Sequence, residues 1–259
     1  MARTGGRAAL AIALALIGGA ARAQSGDLTL GVGAAYTTGK YGAAQRTDMF
    51  FVPFTAKYEK GPWILRAMLP YVRISGPANV VAAGEETIAL PDGNAARRTD
   101  SGFGDFVASA FYNALPGTAG GLGLDLGAKV KVATADDTKG LGTGKNDYAV
   151  QADAFKTYGA VTAFGTIGYR WYGDPPGLDL RDVPYFSLGA ALRRSSATTL
   201  GALYDRRPAI SRGGSQLSEA TLYLSQRLAG DWKLQLYGLK GFTDASPEWG
   251  AGATLTYTY

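Results

Sequence analysis

The chain has 259 residues, with 26 basic against 21 acidic side chains, 37 glycines, and neither histidine nor cysteine. Without His or Cys there is no Ser–His or Cys–His nucleophile pair, no imidazole or thiolate metal ligand and no disulfide frame, which excludes most familiar hydrolase, zinc and iron–sulfur chemistry. Glycine at about twice its usual frequency, with abundant aromatics, points to many short strands and turns rather than to helices or disorder.

The first element is a targeting segment. Arg3 and Arg7 precede an apolar run from Ala8 to Ile17, and Ala21-Arg22-Ala23 supplies an A-x-A motif before Gln24. These are the three parts of a secretory signal peptide, and the run is too short for a spanning helix, which needs roughly 20 apolar residues. Cleavage is expected after residue 23, leaving 24–259 as one domain. Arg3, Arg7 and Arg22 leave with the segment, so the remainder carries +2 and has no electrostatic motive to bind nucleic acid. No later stretch has membrane-helix length, so the exported chain is either soluble or a β-barrel.

From Asp27 onward the apolar period is two, the strand period. Leu28, Leu30, Val32, Ala34 and Tyr36 alternate with small or polar residues; Leu122, Leu124, Leu126, Ala128, Val130 and Val132 do the same. Twelve such segments follow, near 27–38, 48–59, 63–74, 102–114, 121–133, 147–157, 160–172, 183–193, 198–206, 217–228, 232–242 and 249–259. Most run about 9 to 13 residues, a length suited to tilted membrane strands. The segments at 48–59 and 102–114 are apolar on both faces, which leaves their facing open. Connections after even-numbered segments are short (60–62, 115–120, 158–159, 194–197, 229–231). Those after odd-numbered segments are mostly longer and polar (39–47, 75–101, 134–146, 173–182, 207–216, 243–248). Short turns on one side and long loops on the other mark an outer-membrane barrel. The expectation is therefore an all-β, transmembrane, antiparallel up-and-down β-barrel of about 12 strands in the bacterial outer membrane.

All four tryptophans fall at strand ends. Trp63 and Trp232 open strands at the periplasmic edge, while Trp171 and Trp249 sit at the outer edge, as expected of two interface belts. A soluble sandwich or lipocalin-like barrel would put Trp mid-strand. The last segment carries Leu255, Tyr257 and Tyr259 on one face. An amphipathic closing strand with a terminal aromatic resembles the signal read by the barrel-assembly machinery.

A family resemblance rests on Ser101-Gly102-Phe103-Gly104-Asp105-Phe106, on Leu141-Gly142-Thr143-Gly144 followed by Asp147-Tyr148, and on the closing run from Asp231-Trp232-Lys233-Leu234 through Gly238-Leu239-Lys240-Gly241 to Ser246-Pro247-Glu248-Trp249-Gly250-Ala251-Gly252. Together these resemble the outer-membrane proteins grouped as meta-pathway phenol-degradation-like, a family of transporter-type β-barrels, over roughly 101–257. The resemblance implies a narrow channel for aromatic or other small organic compounds. It carries over no functional residues.

Twelve strands leave a lumen between a side-chain-filled barrel of eight and a broad porin. The alternation that assigns Leu and Val to lipid assigns Arg66, Asp125, Lys129, Lys131, Gln151, Asp153, Arg170, Arg193, Asp205, Glu219, Arg227 and Lys233 inward, since Lys or Arg at the lipid midplane costs about 2–4 kcal/mol. Lys129 and Lys131 are expected to lie near Gln151, Asp153 and Asp147, and Asp205 and Glu219 to form an ion-pair cluster with Arg170, Arg206 and Arg207. Weak anion selectivity through Lys129 and Lys131 follows. The competing reading is a structural or adhesion barrel whose paired charges fill the lumen. Arg97-Arg98 and Arg206-Arg207 are candidates for lipopolysaccharide phosphates. Gly140 to Lys145 mimics a phosphate loop but precedes a strand. Asp136, Asp137, Asn146 and Asp147 lack calcium-loop spacing. Barrel phospholipases, deacylases and omptin-type proteases need a His, so no enzyme, metal or cofactor is expected; the partners are outer-membrane lipid and lipopolysaccharide, the assembly machinery and a small solute. Loop 75–101 is the segment whose position matters most, presented outward or folded in as a constriction.

Overall fold

A computed structural model describes residues 8–9, 26–89, 96–117, 120–175, 178–211 and 214–259. The expected signal peptide therefore lies outside the described residues, apart from Ala8 and Ala9, which pair with Thr87 and Glu86. Fifteen further strands follow: β1 (Asp27–Gly39), β2 (Thr47–Lys60), β3 (Trp63–Pro77), β4 (Val80–Ala83), β5 (Glu86–Ala89), β6 (Arg97–Phe103), β7 (Phe106–Pro116), β8 (Leu122–Val132), β9 (Asp147–Tyr158), β10 (Val161–Trp171), β11 (Val183–Arg193), β12 (Thr198–Arg207), β13 (Leu217–Arg227), β14 (Trp232–Gly241) and β15 (Trp249–Thr258). Each strand pairs antiparallel with its neighbour, and β15 returns to β1. The pairing of β2 with β3 completes the closed ring, and at its outer rim β6 is paired on one side only, to β3. Because β6 and β7 both pair with β3, they are one wall strand in two pieces, and the ring has twelve positions.

The break between β6 and β7 explains why the sequence left this segment's facing open. Phe103 is exposed on the outer wall, Gly104 and Asp105 are buried, and Val107 is buried on the inner wall. One extra residue is accommodated, so the side-chain alternation changes phase, as at a β-bulge. In β2, Met49 and Phe51 turn inward, while Phe50 and Phe54 face out. That strand is apolar on both faces because its inner face meets a packed interior.

The outer wall is apolar along its length. Leu222, Ile167 and Leu188 are each about two-thirds exposed at mid-strand, and water would penalise so large a patch that lipid stabilises. All four tryptophans are exposed at strand ends, each against a tyrosine: Trp63 with Tyr112, Trp171 with Tyr169, Trp232 with Tyr257, and Trp249 with Tyr36.

The glycine excess serves more than turns. Six inward aromatic rings each lie over a glycine directly opposite in register: Phe111 over Gly127, Phe155 over Gly123, Phe164 over Gly189, Tyr185 over Gly168, Tyr223 over Gly201, and Tyr237 over Gly252. A Cβ at any of these glycines would fall 2.1–2.5 Å from the ring. Absence of a side chain lets the ring lie flat on the wall rather than project into the lumen.

Strands β4 and β5 are a hairpin that hangs inside the barrel from the outer end. Its alternating residues enter two apolar clusters. Val80 and Ala82 pack with Met49, Phe51, Val72, Ile74 and Leu141. Val81, Ala83 and Ile88 pack with Tyr172, Leu180, Val183 and Ile210. The loop carrying Leu141 closes over the hairpin, and Ala82 N donates to Gly140 O at 2.8 Å. Of the loop expected at 75–101, the described hairpin Val80–Ala89 is folded inward, while 75–77 and 97–101 extend the wall strands, and the outer half of the lumen has a core.

Candidate functional site

The hairpin brings two carboxylates onto inward cations of the wall. Lys129 Nζ meets Glu85 Oε2 at 2.8 Å. Glu86 accepts from Arg170 Nη1, while Arg207 Nη2 lies 3.5 Å from its other oxygen. Tyr172 OH donates to that same oxygen at 3.2 Å, and its ring lies under the Arg170 and Arg207 guanidiniums. Arg170 also reaches Asp147 at 2.9 Å. Burial alone would raise the Glu86 carboxyl, but Arg170 and then Arg207 overcome it and hold it below the ordinary glutamate range. Burial pushes the Tyr172 hydroxyl up to about 12, so it stays a donor. Removing one partner of such a buried set costs about 3–5 kcal/mol, because the other is left as an uncompensated charge.

The periplasmic half is hollow. A cavity of about 290 Å³ lies below the hairpin tip, bounded by Pro53, Met68, Phe111, Phe155 and Phe164 together with Arg66, Asp125, Lys129, Gln151, Asp153, Tyr185 and Asp205. Glu85 forms part of its roof. Neutral donors hold its acids. Asp153 accepts from Gln151 at 2.8 Å and from Thr166 at 2.6 Å, and Asp125 accepts from Asn113. Tyr185 OH donates to Gln151 Oε1 at 2.9 Å. The Arg66 guanidinium carbon sits 4.8 Å from the centre of the Phe111 ring, and its Nε is buried without a hydrogen-bond partner.

Several sequence expectations are corrected here. Lys131 points inward but is enclosed, only 2% exposed, between Asp105 at 3.1 Å, Asp147 at 3.4 Å and the Thr143 hydroxyl at 2.8 Å. It faces no open passage. Lys129 takes its acid from the hairpin and not from Asp153, which stands opposite Asp125. Asp205 and Glu219 are direct register partners, but no ion pair to either is found among the described residues, and Glu219 Oε1 is buried without a hydrogen-bond partner. The expected cluster fails because Glu86 takes Arg170 and Arg207, while Arg206 faces outward and bonds Gln216. Of the paired arginines, Arg97 and Arg206 are exposed, whereas Arg98 bonds Thr138 O and Arg207 is buried. Arg227 is exposed at the end of β13, opposite Lys233. Gly140 to Lys145 leads into β9 and opens no helix. The would-be calcium ligands are dispersed: Asp136 caps a turn at Lys139, Asn146 accepts from Ala133 N, and Asp147 is ion-paired. Leu255 and Tyr257 lie on β15, with Tyr259 stacked edge-on against Tyr257.

Sequence reasoning missed Glu85, Glu86, Asp105 and Tyr172, whose partners lie far away along the chain. It also missed Phe111, Phe155 and Phe164, which the glycine opposite each could have revealed once register was drawn.

One family model, described as "Putative MetA-pathway of phenol degradation", matches residues 20–259. No curated protein matches the chain. Among solved structures, an outer-membrane channel of the COG4313 group from Pseudomonas putida F1 superposes with a TM-score of 0.65 at 13% identity, covering 93% of this chain and 97% of that one. The NanC porin gives 0.55 at 9% identity over 88% and 98%, and the KdgM porin 0.53 at 8% over 89% and 99%. These likenesses show the fold.

Proposed function

The chain belongs to this phenol-degradation family, and we propose that it is an outer-membrane channel for small organic solutes, with the periplasmic cavity as its solute chamber and the hairpin as its obstruction. The observation that carries this reading is the chamber itself. About 290 Å³ is left between seated aromatic rings on one side and a few polar groups on the other, inside a wall whose outside is apolar. Concave sites lined by rings with a few placed polar groups suit small ligands. Membership of a phenol-degradation family, and a fold shared with an outer-membrane channel and porins, agree with a passive conduit for compounds of one-ring size. Passage needs no cofactor, because the solute moves down its gradient.

The test is single-channel current of the refolded protein in a planar bilayer, beside swelling of proteoliposomes in small aromatic solutes. Small, intermittent currents and measurable solute entry are expected. The packed outer half favours one competing reading, a structural barrel through which nothing passes. No current and no solute entry, with the hairpin present or trimmed away, would establish that alternative.

A further inference from the structure

Inward side chains on neighbouring strands fall in one register row. Lys57 faces Arg66, Arg66 faces Ser109, Ser109 faces Lys129, Lys129 faces Ala149, and Ala149 faces Arg170. Because barrel strands tilt by about 35–45°, a row perpendicular to them climbs the lumen as it winds. Lys57 lies near the periplasmic end of β2 and Arg170 near the outer end of β10, so the row is a basic ladder running from one mouth to the other.

The rungs are not filled alike. At the outer end Arg170 holds Glu86, and the next rung down, Lys129, holds Glu85. Both acids come from the hairpin. At the bottom Lys57 pairs with Glu59 of its own strand. Arg66 has neither an ion pair nor a hydrogen bond among the described residues, and its buried Nε faces no acceptor. The nearby acids Asp125 and Asp153 are already held by Asn113, Gln151 and Thr166. The guanidinium rests on Phe111, and across the cavity Phe155 and Phe164 are side-by-side register partners.

We propose that this chamber binds an aromatic monocarboxylate, with Arg66 taking the carboxylate and the Phe111, Phe155 and Phe164 wall taking the ring. The inference rests on reading the cavity as a solute chamber, and it names the solute class. The arginine fork matches a carboxylate in two parallel hydrogen bonds, which a lysine cannot do. Between protein walls, where the effective dielectric is lower than in bulk water, that pairing is stronger than at a fully exposed surface. Glu85 and Glu86 are then internal occupants of the same ladder, carboxylates of the chain standing where carboxylates of the solute would pass.

The experiment is a ligand-observed NMR titration of the refolded full-length barrel with sodium benzoate, and with benzamide as its neutral isostere. Arg66→Gln should weaken benzoate binding at least tenfold and leave benzamide within twofold. Arg66→Lys should fall between, at about threefold. Glu85→Gln, which frees Lys129, should tighten benzoate at least threefold. Equal losses for benzoate and benzamide in Arg66→Gln, or no change for either, would overturn the proposal. So would an unchanged benzoate affinity in Arg66→Lys or Glu85→Gln, which keeps it open to refutation should Arg66→Gln not fold. Conductance separates this site from the reading beneath it. Arg66-dependent benzoate binding in a barrel that passes nothing sinks the channel and leaves the site standing. A conducting barrel whose benzoate binding ignores Arg66 does the reverse.

Discussion

In the outer half of the lumen, Val72, Ile74, Phe51 and Leu141 pack against the hairpin, and buried acids close on Arg170, Arg207 and Lys131. In the periplasmic half β7, β9 and β10 carry Phe111, Phe155 and Phe164 flat against the wall, around a space of about 290 Å³. The strands do not differ in kind between the two halves. What differs is whether a second layer is supplied. The hairpin gives the outer half a partner for its apolar inward residues, so Met49 and Val72 are core. Glycine gives the periplasmic half a way to keep large rings without filling the bore. A barrel of twelve strands can therefore be solid at one end and hollow at the other.

The sharpest way to break this comparison is to remove the second layer. Replacing residues 78–96 by a short Gly/Ser turn should raise single-channel conductance at least tenfold, since a lumen of twelve strands is then filled by wall side chains only. Unchanged conductance would mean that the obstruction lies elsewhere. A smaller cut is Glu86→Gln, which leaves Arg170 and Arg207 short of a counter-charge. A loss of about 3–5 kcal/mol of stability is expected, read as a lower denaturant midpoint in detergent. The same contact sets a pH dependence. The folded carboxyl lies below the ordinary glutamate value of about 4.3, so its stabilisation is complete above that value and is lost as pH falls through the lowered one. Conductance should stay low from pH 8 to pH 5 and rise only in stronger acid; a rise beginning near pH 6 would point to a different group.

The hollow half is tested at Gly127. Its Cβ would lie 2.2 Å from Cδ1 of Phe111, so Gly127→Ala must tip the ring into the cavity. A cost of about 1–3 kcal/mol is expected, together with weaker binding of any ring-bearing solute. Gly238→Ala, where nothing lies within 4 Å, is the matched control. The smallest effect belongs to Arg206→Ala on the outer face, expected within about 0.5 kcal/mol and silent in conductance. A large change there would show that the outward rim takes part in the path.

The ring of strands was legible because a closed barrel writes its facing into every second residue, and because its turns and loops differ in length. Leu222 and Leu188 declare lipid wherever the rest of the chain goes. The hairpin was not legible. Glu86 meets Arg170 and Arg207 across 84 and more residues, and nothing in Glu85-Glu86 distinguishes an inner latch from a solvated loop. Lys131 was misread as open for the same reason: Asp105, its second acid, sits at a break in the wall where period-two counting loses phase. Lys129 and Arg66 both border the cavity, and which of them is occupied depends on where the hairpin tip arrives.

The glycine seats have a consequence for how such barrels diversify. In most closed sheets, bore follows strand number, and changing it means inserting or deleting whole hairpins and re-registering the ring. Here the clearance is set locally, by whether the residue across from a ring has a side chain. A single codon change at Gly123, Gly127 or Gly168, where an added Cβ meets ring atoms first and no wall backbone as closely, alters the calibre at one depth and leaves closure, length and lipid contact as they were. The aperture behaves like a row of independent set-screws, so relatives with the same twelve-position frame can be graded for solutes of different girth by small steps, each compatible with a folded barrel.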